Sequence, residues 1–189
     1  MRTFIAIELP AEIKAALNDL SERLRRSRAS ASWVKPERMH LTLRFLGEIP
    51  ESDVARVGSL LEEHSAPFRP FTLSVANTGV FPNSRQPQVV WAGVGPLDGG
   101  LIELQRVAED AAQATGLKPE RRPFRPHLTL ARIRGQDNVR QLMALVARER
   151  GFNGGSFLAA NVSLFSSELA PSGPVYTRLR ECPLRGTDA

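Results

Sequence analysis

The chain is poor in the residues that build covalent or metal-centred frameworks. Its 189 residues include a single cysteine, Cys182. No disulfide can close within one chain, and no multi-cysteine zinc site can be assembled; the thiol is read as an inert, packed side chain. Only three histidines are present, His40, His64 and His127, with one tyrosine and two tryptophans. No apolar run approaches the roughly 18 residues that a membrane-spanning helix needs. The opening MRTFIAIELP lacks the layout of a secretory signal, so the expected compartment is the cytoplasm; the expected state is a monomer. Lysine is nearly missing as well: Lys14, Lys35 and Lys118 are the only ones among 25 basic residues.

What remains has the make-up of a soluble folded protein, with 42% hydrophobic and 24% charged residues and a formal charge of +5. Arginine carries nearly all of the positive charge. Its planar guanidinium can donate two parallel hydrogen bonds to two oxygens of one phosphate, so an anionic partner fits, although arginines are spread over the whole chain.

Hydrophobic periodicity divides the chain into short strands and amphipathic helices. Thr3 to Leu9 reads as a strand, and Ile13, Leu17, Leu20 and Leu24 mark a helix from Ala11 to about Arg26. HLTLRFL from His40 alternates as a strand with one buried face; a helix follows to about His64, then strands at Phe71 to Phe81 and Gln88 to Val94. The order then recurs: helix from Leu101 to Thr115, strand from His127 to Ile133, helix from Val139 to Arg148, strand from Ser156 to Phe165. A closing strand near Val175 to Arg180 takes the place in the second copy that Val89 to Val94 takes in the first. HLTL at 40–43 returns at 127–130, and SVANTGVF at 74–81 is echoed by LAANVSLF at 158–165. An approximate duplication is the simplest account, with copies at 3–81 and 88–165 forming two similar lobes of one domain. The predicted fold is α+β: two antiparallel-rich sheets, helices outside, and a cleft between the lobes.

The repeated tetrapeptide holds the chemistry. Side chains alternate along a strand, so His40 and Thr42 project together about 6.6 Å apart, as do His127 and Thr129. Leu41, Leu43, Leu128 and Leu130 point the other way, into a core. Packing explains repeated leucines but not a repeated histidine and threonine on the opposite face. Two imidazoles facing one cleft suit a reaction that removes one proton and delivers another, and threonine hydroxyls can donate to phosphate oxygens. A metal site is disfavoured, because no carboxylate stands close in sequence to either motif to serve as third ligand. Arg44 and Arg125 have the strand parity of their neighbouring histidines. Arg132, five residues after His127, has the wrong parity unless a bulge near Ala131 turns it.

Other residues have plainer readings. His64 closes a helix, where the dipole favours a cation. Trp33, Phe45, Phe81, Trp91, Phe165 and Tyr176 are core residues or faces for a base. The runs at Arg23 to Arg28 and Glu120 to Arg122 are candidates to line an approach for an RNA backbone.

The paired His-x-Thr-x motifs, together with FIAIELP, HLTLRFLGE, VVWAGV, RPFRPHLTLAR and LFSSELAPSGPVYTRL, resemble the two-histidine phosphoesterases over nearly the whole chain. Within them the likeness is to the bacterial and archaeal RNA 2',3'-cyclic phosphodiesterases once described as 2'-5' RNA ligases. The resemblance implies hydrolysis of a 2',3'-cyclic phosphate to a 2'-phosphate, with His40 as proton donor, His127 as proton acceptor, Arg132 on the phosphate and no metal or other cofactor. Its implied partners are RNA ends bearing 2',3'-cyclic phosphate, or cyclic nucleotides. Ligation through a 5'-hydroxyl in place of water, and an RNA-binding module without catalysis, are the alternatives.

Overall fold

The computed structural model describes residues 1–171 and 173–186. Nine strands and four helices are laid out in the order β1 (Arg2–Glu8), α1 (Ala11–Arg25), β2 (Ala31–Trp33), β3 (His40–Glu48), α2 (Glu51–Ser65), β4 (Phe71–Phe81), β5 (Val89–Gly95), α3 (Gly99–Gln113), β6 (His127–Ile133), α4 (Val139–Arg148), β7 (Asn153–Ala159), β8 (Asn161–Ala170) and β9 (Gly173–Pro183). A turn of 3-10 helix, Pro36–Arg38, leads into β3. No helix among the described residues is long and apolar enough to cross a membrane.

The strands form two antiparallel sheets, β3-β1-β8-β9 and β2-β6-β5-β4-β7. Helices α2 and α3 cover the first and α1 and α4 the second. Each helix turns an apolar stripe inward; in α1 it is Ile13, Leu17, Leu20 and Leu24. Burying four such side chains contributes on the order of 6–12 kcal/mol before entropy is counted. The leucines of both HLTL segments, Leu41, Leu43, Leu128 and Leu130, belong to this core. That leaves the opposite face of each sheet for the histidines.

Two readings of the sequence are corrected. The expected strand from Ser156 to Phe165 is two strands, β7 in the second sheet and β8 in the first, with Ala160 between them. The buried positions slip phase there, from Phe157 and Ala159 to Val162 and Leu164. Nor does each sheet hold one sequence copy. β8 sits beside β1, and β4 beside β5, so each sheet draws strands from both halves of the chain. The matching cores are β3-β1-β8 and β6-β5-β4. The closing strand β9 lies outside β8 as β7 lies outside β4, whereas the place of β5 belongs to β1.

Candidate active site

β3 and β6 approach each other across the gap between the sheets without sharing a ladder. His40 and His127 are the first residues of these strands. Each ring is held in the same way: Nδ1 of His40 lies 2.9 Å from the Arg38 carbonyl, and Nδ1 of His127 lies 2.7 Å from the Arg125 carbonyl. A carbonyl can only accept, so Nδ1 carries the proton in both rings and Nε2 is the atom each imidazole offers.

The surroundings of the two rings are aromatic. His40 stacks on Phe4 with centroids 4.6 Å apart and meets the ring of Tyr176 edge-on at 5.2 Å. Ala6, buried and paired with Thr42, leaves room for Phe4 to lean over it towards His40. Phe165 stacks on the other side of Phe4 at 5.3 Å. His127 meets Phe81 edge-on at 4.9 Å, and Phe81 packs on Trp91. Trp91 lies across Gly79, where a Cβ would collide with the indole. Phe81 and Phe165, aligned by the sequence echo, occupy equivalent places beside β5 and β1.

This packing governs the charge state of both rings. Burial pushes His40 down to about 4; the Arg38 carbonyl opposes the shift, Lys14 adds to it and Glu8 counters it. His127 is also lowered, first by burial and further by the charge of Arg132, against the hydrogen bond to the Arg125 carbonyl. Tyr176 is raised by burial.

Both motif strands carry the same irregularity. Ala6 pairs with Thr42 and Ile5 with Arg44, which leaves Leu43 as an extra residue; Trp91 pairs with Thr129 and Val90 with Ala131, which leaves Leu130 extra. The bulge reverses alternation beyond it. Arg132 is thereby turned to the histidine side, as the proximity of its charge to His127 and to Tyr176 shows. The equivalent residue of β3 is Phe45, 57% exposed and 6.0 Å from Phe4.

Arg44 goes the other way, contrary to the parity of a regular strand. Its Nε lies 2.8 Å from Glu109 of α3, and its Nη2 donates to the Lys118 carbonyl at 2.6 Å. It is a structural cation on the helix side. The exposed residue Arg125 enters the site through its main-chain carbonyl. Among the residues of the basic runs, Arg23 pairs with Glu149, Arg25 with Glu22 and the face of Trp33, and Arg122 with Glu120. His64 stands exposed in the last turn of α2, where the sequence places it. Cys182 is buried, and burial pushes its thiol up to about 11. Sequence reasoning missed β2, whose Ser32 pairs with Arg132, and the contribution of Phe4, which it read only as part of the opening strand.

A cavity of about 320 Å³ opens beside His40, walled by Phe4, Glu8, Lys14, Phe165, Tyr176 and Arg178. A larger hollow of about 520 Å³ lies past Glu8 and Arg178 and has neither histidine in its wall. Of the two histidines, His40 alone lines the smaller one. No group of three or more His, Cys, Asp or Glu side chains among the described residues is placed to hold a metal ion.

The profile of the family described as LigT like phosphoesterase matches residues 7–91 and 94–176. The RNA 2',3'-cyclic phosphodiesterase of Methanothermobacter thermautotrophicus is 33% identical over 94% of this chain and 95% of its own length. Among solved structures, the protein TT0787 of Thermus thermophilus superposes with a TM-score of 0.84 and 32% identity over the full length of both chains. E. coli LigT complexed with 3'-AMP superposes with a TM-score of 0.77 and 30% identity, over 97% of this chain and 96% of that one.

Proposed function

Because the chain belongs to the LigT-like phosphoesterase family, we propose that it hydrolyses RNA 2',3'-cyclic phosphate ends to 2'-phosphomonoesters, with His127 and His40 as base and acid. The observation that carries this reading is the pair of imidazoles with the same tautomer, each offering Nε2 from the first residue of matched strands. The name of the Methanothermobacter relative agrees with it. So does the E. coli relative crystallised with 3'-AMP, a nucleotide phosphorylated on the ribose.

In the reaction, Nε2 of His127 takes a proton from water as the water oxygen attacks phosphorus. The P–O3' bond breaks on the opposite side, and Nε2–H of His40 gives its proton to O3'. The 2'-phosphate remains. Thr42 and Thr129 donate to the nonbridging oxygens, and Arg132 adds a positive charge where negative charge accumulates. His40 must be protonated to act, although burial holds it low in the free protein. The anionic phosphodiester supplies the opposite charge that raises it on binding. Phe45 presents an exposed ring to the terminal base.

The test is turnover of a nucleoside 2',3'-cyclic phosphate by purified protein in excess chelator, with the product isomer identified by phosphorus NMR. A 2'-phosphate is expected. A 3'-phosphate, or turnover that chelator abolishes and added metal restores, refutes the reading.

A further inference from the structure

The ladder around β6 fixes which side chains share the face of His127. On β5, Gly93, Trp91 and Val89 alternate with the buried Val94, Ala92 and Val90, and they pair in turn with His127, Thr129 and Arg132. Arg132 therefore stands on the His127 face. On its other side Arg132 pairs with Ser32 of β2, and the strand keeps its course for one residue past Ile133, where the Arg134 N–H donates to the Ser30 carbonyl at 2.8 Å. Arg134 is exposed, and its Nε donates to Ser32 Oγ at 2.9 Å. The guanidinium is thus held on the His127 face, one alternation beyond Arg132, with the two Cα atoms about 6.6 Å apart.

The group that holds Arg134 is neutral. Arg23 and Arg122, by contrast, each give Nε and Nη2 to the carboxylate of one glutamate, Glu149 and Glu120, so their forks are occupied and their charges offset. Ser32 takes only Nε of Arg134. The hydroxyl orients the guanidinium without neutralising it and leaves both terminal nitrogens as donors for an anion. No ion pair joins Arg132 or Arg134 to a carboxylate among the described residues. Asp137, the acidic residue nearest to Arg134 in sequence, meets this edge through its carbonyl, which accepts from the Ser30 N–H at 3.2 Å. Two like charges one alternation apart repel until an anion lies over them. Past Glu8 and Arg178 the surface has the opposite character, since the wall of the larger hollow carries Glu8, Glu12 and Glu181 and repels a phosphate chain.

We propose that Arg134, aimed by Ser32, forms a second anion subsite that takes the phosphodiester on the 5' side of the terminal nucleotide. In an RNA end whose cyclic phosphate lies at the histidines and Arg132, that linkage is the next anion along the strand, and one strand alternation matches the step between neighbouring phosphates. The protein then acts on RNA ends in preference to free cyclic nucleotides, a conclusion that rests on the cyclic phosphodiesterase reading above.

The experiment compares kcat/KM for three substrates: a nucleoside 2',3'-cyclic phosphate, a dinucleotide ending in the same group, and that dinucleotide with a neutral methylphosphonate linkage. The wild-type protein should favour the charged dinucleotide over the mononucleotide by on the order of tenfold, the size of one charge-assisted contact. The methylphosphonate should lose most of that advantage, and added salt should erode it. Arg134→Gln should lower the ratio of charged to neutral dinucleotide roughly fivefold. Ser32→Ala, which frees the guanidinium from its hydroxyl but keeps the charge, should lower the same ratio about twofold. Each ratio is taken within one protein, so a fall in the folded fraction cancels. Equal rates on charged and neutral linkages in the wild-type protein would overturn the subsite while leaving the phosphodiesterase reading intact; so would an unchanged ratio in Arg134→Gln. No turnover of any of the three by wild type would overturn both.

Discussion

Protonation of His40 should cost the folded protein stability, and the size of the cost follows from where the ring sits. Its Nδ1–H is already committed to the Arg38 carbonyl, one face lies on Phe4, and Tyr176 stands at its edge. A second proton on Nε2 places a cation among aromatic rings, with Lys14 nearby to repel it. The imidazole accordingly titrates near 4, against 6.5 in an unfolded chain. Because the folded value is the lower one, the unfolded state takes up the proton first. The stability is fully present above about pH 6.5 and is lost as the pH falls towards 4. The loss by pH 4 amounts to about 3 kcal/mol, a large share of a typical domain's 5–15 kcal/mol. The measurement is urea unfolding at intervals from pH 7.5 to 4, on wild type and on His40→Phe, which keeps an aromatic ring without a titrating nitrogen. Carboxylates and His127 titrate in both proteins and cancel in the difference. The wild type should lose about 3 kcal/mol more than the variant across this range. Parallel curves would show that the ring is not held neutral by burial and would refute the account of its charge state.

The acid and base roles should separate by leaving group. Each of His40→Ala and His127→Ala should lose on the order of 10² to 10⁴ in rate on the natural cyclic substrate, but an aryl phosphodiester, whose phenolate departs unprotonated, should rescue only His40→Ala. Rescue of His127→Ala instead would exchange the roles. Arg132→Ala should lower kcat/KM by about a hundredfold in steady-state assays, whereas Arg44→Ala should leave it within about threefold and cost about 2 kcal/mol in urea unfolding by stranding Glu109; the opposite pattern would contradict the bulge argument. The pH dependence of kcat/KM should be bell-shaped with its optimum on the acid side of 6.5, because the pair must share one proton and burial lowers both rings. A rate that climbs steadily from pH 7 to 9 would rule that out.

Much of the candidate site was legible because strand alternation is a local property. His40 with Thr42, and His127 with Thr129, lie opposite buried leucines on their strands, as the pattern HLTL requires. Element positions followed for the same reason, since apolar spacing along ten to fifteen residues distinguishes a helix stripe from a strand face. The break at Ala160 was also written locally, as a slip in apolar phase, but a continuous run of strand-forming residues concealed it. Arg44 was misjudged because parity assumes a regular ladder. Arg132 needed a bulge, and the identical bulge in β3 sent Arg44 to Glu109.

The amino-acid sequence by itself determined the family, the two matched motifs and which side chains share a face, because all of these depend on residues adjacent along the chain. Tertiary structure decided the rest. Pairing of β8 with β1 and of β4 with β5 interleaves the two sequence copies, and no local pattern encodes which distant strand completes a ladder. Burial by Phe4, Tyr176 and Phe81 set the charge state of both imidazoles. These are properties of neighbours in space, and desolvation and Coulomb energy depend on that distance and not on separation in sequence.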